Sequence, residues 1–144
     1  MSLPDHNLLK RKNYSSGGPW EDILGSSRAV RVGDLIEVGG TTAARNGEVV
    51  GVGNAFEQAR FIFNLIERVL SRAGTPLEAV TRTRIYLTNI DNWEDVAKAH
   101  NLFFSDIKPV CTVLQVSALL DPEMLVEVEV TAVHPTAKTG NPFN

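Results

Sequence analysis

The alternation of apolar and polar residues sets the first elements. Val30 and Val32 flank Arg31, and after Gly33-Asp34 the alternation resumes with Ile36, Glu37 and Val38. A period of two with one apolar face predicts a hairpin turning at Gly33-Asp34. Asn46-Gly47 is a second tight-turn signal, because both residue types tolerate positive φ; it predicts a short third strand near 49–52. The period then changes. Ala59, Ile62, Phe63, Ile66, Val69 and Leu70 form one stripe of a helix spanning 55–73. Asn54 is placed to cap it, with Glu57 three residues on as in a capping box. Gly74 and Pro76 end it.

Alternation returns at 80–87, with Thr81, Thr83, Ile85 and Leu87 on one face and Val80, Arg82, Arg84 and Tyr86 on the other. Its β-branched and aromatic content predicts a strand. Asn92 and Asp95 open a second helix striped by Val96, Ala99 and Phe103, which Lys108-Pro109 closes. Strands at about 111–117 and 124–133 follow. The order β-β-β-α-β-α-β-β predicts an α+β domain: a mixed sheet with two helices on one face. The other face then carries Arg82, Arg84, Glu127 and Glu129 among apolar residues. Such a face, uncovered by helices, predicts a subunit interface and a homo-oligomer.

Size and charge narrow the class. A chain of 144 residues is one domain that buries roughly two-thirds of its unfolded surface. The polar, aperiodic stretch 1–17 reads as a flexible N-terminal arm, 18–134 as the single domain and 135–144 as a C-terminal tail. Fourteen Lys+Arg against 17 Asp+Glu give a net charge of −3, without the positive field that collects nucleic acid. One cysteine makes neither an internal disulfide nor a zinc cage. No apolar run approaches the roughly 20 residues of a membrane span, and the start lacks a signal-peptide core. A cytoplasmic protein without metal or membrane contact is the expectation. Gly51-x-Gly53 before a helix is a weak phosphate-loop signal, since the remaining glycine and lysine of the nucleotide motifs are missing.

Four segments carry a resemblance. GGPWEDILGSSRAVRVGDLIEVGGTTA, the helix beginning NAFEQAR, TRTRIYLTNIDNWEDVAKAHNLFF and the closing VEVEVTAV together resemble the RidA/YjgF family, the reactive-intermediate enamine/imine deaminases also labelled L-PSP endoribonucleases or translation inhibitors. The likeness spans about 18–134. It implies a chorismate-mutase-like α+β fold, no cofactor, and a homotrimer binding a small-molecule metabolite in a cleft at each subunit interface. In deaminating members, Pro-x-Arg-[Ser/Thr] follows the second helix, and its arginine grips a substrate carboxylate. This chain has Pro109-Val110-Cys111-Thr112. Cys111 stands at the arginine position and supplies neither its charge nor its two-pronged fork; Thr112 matches the hydroxyl position. Glu127 falls where the family keeps a glutamate that holds the attacking water. Gly39 and Gly40 fall where backbone meets ligand, and Trp20 where an aromatic lines the cleft.

Each of these residues also has a structural reading. Cys111 is equally a small buried hydrophobe or a reactive thiol; a reactive one needs a nearby cation or base, and Lys108, His100 and His134 are the candidates. Glu127 is equally half of an ion pair with Arg82 or Arg84, or a carboxyl raised by an apolar cleft. Gly39-Gly40 reads more readily as a bulge or turn than as a ligand platform, and Trp20 as packing against the sheet edge. Three functions compete: an enamine/imine hydrolase using Glu127 and Cys111, a non-catalytic metabolite-binding trimer, and, with least support, a ribonuclease.

Overall fold

A computed structural model describes residues 10–135 of the 144. The predicted hairpin is β2 (Ala29–Val32) and β3 (Leu35–Thr42), with Gly33 at φ 59° in its turn. The ribbon β4 (Ala44–Arg45) and β5 (Glu48–Val49) closes on Asn46-Gly47, whose φ values of 51° and 82° belong to a type I′ turn. The expected third strand at 49–52 is corrected here. β5 pairs only with β4, outside the main sheet, because Gly51 at φ 70° and Gly53 at φ 73° turn the chain into the next helix. These glycines serve that turn: the Gly51 carbonyl accepts from Asn54 N–H at 2.9 Å.

The long helix lies between Ala55 and Arg72, with all six predicted stripe residues buried. Asn54 Oδ1 accepts from Glu57 N–H at 3.1 Å, a cap that contributes about 1 kcal/mol. At the other end Gly74 takes φ 70° and Thr75 N–H returns to Leu70 O at 2.9 Å. Strand β6 (Val80–Leu87), the helix Trp93–Phe104, β7 (Val110–Gln115) and β8 (Val126–Val133) complete the predicted order.

Two elements escaped the pattern. Residues 1–9 and 136–144 lie outside the described residues, but Arg11–Tyr14 of the expected arm form strand β1, paired antiparallel with β2. Ladder bonds need no apolar period, and Tyr14 is buried with the Arg72 guanidinium 5.7 Å from its ring centroid. Pro19–Leu24 form helix α1, so the Ala55–Arg72 and Trp93–Phe104 helices are α2 and α3. Its proline start, Glu21 and Asp22 in the first turn and left-handed Gly25 are ordinary helix signals, on a segment too short to show a period.

The sheet order is β1-β2-β3-β8-β6-β7, antiparallel except for β6/β7. β8 is antiparallel to both neighbours, so β3-α2-β6 and β6-α3-β7 are two crossover units with the last strand inserted between β3 and β6. Helices α2 and α3 cover one face, where Ile36, Val38, Thr83, Ile85, Leu87, Val126, Val128 and Val130 are buried. The opposite face shows Arg82, Arg84, Tyr86, Glu127 and Glu129. Val80 departs from the predicted alternation: a bulge between Val80 and Arg82 turns it inward and Thr81 outward.

Candidate functional site

Glu127 sits on the uncovered face of β8, with Thr42 and Tyr86 as its register partners on the two adjoining strands. It is half-buried. Burial pushes its carboxyl above the usual carboxylate range, and the neighbouring Glu129 charge pushes the same way; the Arg28 guanidinium pulls against both. Glu129 accepts a hydrogen bond from the Tyr86 hydroxyl, and that bond raises the phenol's pKa.

The β3/β8 register shifts between Val38 and Thr41, so Gly39 and Gly40 form a bulge outside the regular ladder. A Cβ on Gly40 would lie 2.9 Å from Glu127 Cδ, closer than real side chains approach. Glycine here is a matter of space, and the Glu127 carboxyl rests directly on the bulge backbone. The bulge expected of the pair is present, and it places backbone beside the carboxyl.

Arg28 was missed by sequence reading. Its Nη1 donates to Gly39 O at 3.2 Å, to Gly40 O, and to Thr41 Oγ1 at 2.9 Å, so the bulge is pinned by a half-buried guanidinium. A signal existed. Counting the hairpin register outward from Val32↔Leu35 sets Arg28 opposite Gly39, and Gly39 N–H donates to Arg28 O at 2.9 Å.

Cys111 occupies different ground. It is Thr83's register partner, on the helix-covered side of the edge strand, and it is exposed. It lines a groove of about 370 Å3 between α3 and β7, with Trp93, Ala97, His100, Lys108 and Val113. The structure thus brings His100 to the thiol's groove. His100 Nε2 is hydrogen-bonded to Thr83 Oγ1 at 2.9 Å, and burial lowers its pKa, so the ring is a neutral neighbour near pH 7. His134 is elsewhere, bonded through Nδ1 to Thr75 Oγ1 at 2.9 Å. Thr112 projects to the open face beside Arg84. Trp20 lies on α1 and is 49% exposed. Glu127 forms no ion pair with Arg82 or Arg84 among the described residues. Within one chain, Glu127, Gly39, Gly40 and Arg28 are one cluster, and Cys111 faces away from it.

The endoribonuclease L-PSP family model matches residues 23–134. The chain belongs to the RidA/YjgF (L-PSP) family. An uncharacterized Streptomyces coelicolor protein is 36% identical over 121 residues, 84% of this chain and 90% of that protein. The 3-aminoacrylate deaminase RutC of Acinetobacter baylyi is 29% identical over 101 residues, 69% of this chain and 79% of the enzyme. The crystal structure of a Mycobacterium tuberculosis YjgF/YER057c/UK114 protein superimposes with a TM-score of 0.78 at 40% identity, covering 86% of this chain and 99% of that one. The RidA-type α+β fold expected from the four segments is therefore the fold of this chain. No helix among the described residues is long and apolar enough to cross a membrane.

Proposed function

We propose that this RidA-family protein binds small metabolites and hydrolyses enamines or imines, with Glu127 holding the attacking water. The observation that carries the reading is the half-buried, raised carboxyl of Glu127 resting on the Gly39-Gly40 bulge. As a carboxylate it accepts a proton from water while the oxygen adds to the C=N carbon. Once protonated it returns that proton to nitrogen, giving a carbinolamine; it then takes the hydroxyl proton and passes it to the amine, the C–N bond breaks, ammonia leaves and a carbonyl remains. A carboxyl raised toward neutrality suits both halves of this exchange. The name of the RutC relative, 3-aminoacrylate deaminase, supports the same chemistry.

The ligand cleft is proposed to lie between subunits of a homotrimer. Cys111 and Glu127 point to opposite sides of one sheet, so a cleft holding both needs the β7 edge of one copy and the open face of another. Trp20, Gly39, Gly40 and Thr112 are proposed ligand contacts in it, Cys111 a lining thiol. Because Cys111 stands at the position of the family's carboxylate-binding arginine, turnover of 2-imino acids is expected to be low.

The test is an assay on freshly generated 2-aminoacrylate and 2-iminopropanoate. Cys111→Arg is expected to raise the rate tenfold or more, since each 1.36 kcal/mol of added transition-state binding is a factor of ten. Glu127→Gln should remove the activity by about 10²–10⁴, the span of general acid–base catalysis. A folded Cys111→Arg protein without activity favours the second reading, a non-catalytic metabolite-binding trimer, which the thiol at position 111 supports. A double variant that keeps the gain removes Glu127 from the mechanism.

A further inference from the structure

Arg28 spends only one of its nitrogens on the fold. Nη1 makes all three bonds to the bulge, and no bond from Nε or Nη2 forms among the described residues. Nor is either nitrogen a buried atom lacking a partner, as the described residues hold none. The free edge of the half-buried guanidinium is therefore not sealed off, although burial lowers the group's pKa. It feels the charges of Glu21 and Glu127 but makes no ion pair within 4 Å with either among the described residues. The group is held rigid on one side and presents a planar two-donor edge on the other, next to the raised carboxyl and the bulge backbone.

We propose that Arg28 is the anion anchor of this cleft, and that it takes a small monocarboxylate. The inference rests on the reading of the Glu127 cluster as a ligand site and names the class of ligand it holds. A guanidinium edge matches a planar carboxylate bidentately. Phosphate fits the same fork, but its second negative charge would stand beside Glu127 and Glu129, which the single charge of a carboxylate makes milder. The thiol at 111 then marks a relocated grip: the charge stands on the Glu127 wall of the cleft, on the residue just before β2, and the opposite wall has no guanidinium at that position.

Calorimetric titration of the full chain in its native assembly, with 2-oxobutanoate and its methyl ester as probes at pH 7, tests this. The acid should bind at least tenfold tighter than the ester, and inorganic phosphate should compete poorly. Arg28→Gln should erase the acid-over-ester preference, and Arg60→Gln, on the outer face of α2, should change nothing. If Arg28→Gln melts below the working temperature, Arg28→Lys decides: a lysine keeps a charge near the bulge but not the fork, and a threefold or larger fall in preference is expected. A preference that survives in a folded Arg28 variant, an absent preference in the wild type, or phosphate binding as tightly as the acid overturns the assignment. The hydrolase reading fails separately, since a Glu127-independent rate leaves the Arg28-dependent preference untouched, and loss of that preference leaves a Glu127-dependent rate intact.

Discussion

At residue scale the site turns on a contact between a backbone and a carboxyl. The atom that a Gly40→Ala methyl would meet is the end of a flexible side chain, Glu127 Cδ at 2.9 Å. Glu127 can swing away, so the variant is expected to melt within a few degrees of wild type yet lose most hydrolysis; equal losses of stability and rate would show that the bulge itself had collapsed. Protonation gives a second handle. Glu127 is raised by burial, then by Glu129, and lowered by Arg28; Tyr86 is bonded to Glu129, and Arg84 stands beside it. A raised acid binds its proton more tightly when folded. Its stability contribution is therefore complete below the ordinary value of 4.5 and is lost as pH climbs from there through the folded value. Melting temperatures of wild type relative to Glu127→Gln should fall over that window. Glu129→Gln removes one raising charge, so the acid limb of the hydrolysis profile should move to lower pH; a limb that stays in place would assign it to another group.

At the scale of elements, α2 does more than cover the sheet. Gln58 is fully buried on its apolar stripe. Its Nε2 donates to Gly51 O at 3.2 Å and to Glu123 O at 2.9 Å, and its Oε1 accepts from Leu125 N–H at 2.8 Å. The carboxamide thereby ties the loop entering the helix to the loop entering β8, two residues before Glu127. Gln58→Leu should cost about 1–3 kcal/mol, because a buried N–H loses its partner, and calorimetric melting measures it. That role was invisible in the sequence, where Gln58 interrupts a hydrophobic stripe without naming a partner 65 residues away. The stripe itself was legible, as were the hairpin, Asn54 and Gly74 at the ends of α2 and the order of long helices and main-sheet strands from β2 to β8; Glu57, read as reaching back to Asn54, instead accepts from Arg60. Elements too short to show a period were not: β1 has four residues and α1 six. Bulges can hide, because each inserts one residue into an otherwise regular alternation; the one at Val80 did, whereas the Gly39-Gly40 bulge was readable from its paired glycines. Of the candidate site, Glu127 and the two glycines stood in one place, whereas Cys111 and Thr112, adjacent in a strand, necessarily point to opposite faces.

For the whole molecule, the question is what covers the open sheet face. Arg82, Arg84, Glu127 and Glu129 share it with exposed Leu35, Val110, Leu114 and Val133. A homotrimer burying about 800 Å2 per partner would cover most of this. Sedimentation velocity at micromolar concentration should show three copies, and Arg84→Glu, which sets a third acid beside Glu129 and Glu127, should shift the assembly to monomer. A wild type that sediments as one chain overturns the cleft between subunits. The position of β8 bears on how this chain emerges from the ribosome. The strand that joins β3 to β6 is translated after every other strand of the described residues, and ribosomes add only about 5–20 residues per second. For seconds, each nascent chain holds both crossover units with the edges of β3 and β6 facing one another unpaired. The long-range pairings that unite them are the slow kind, so the last strand acts as the latch of folding, and nascent chains crowded on one message have that interval in which to exchange it.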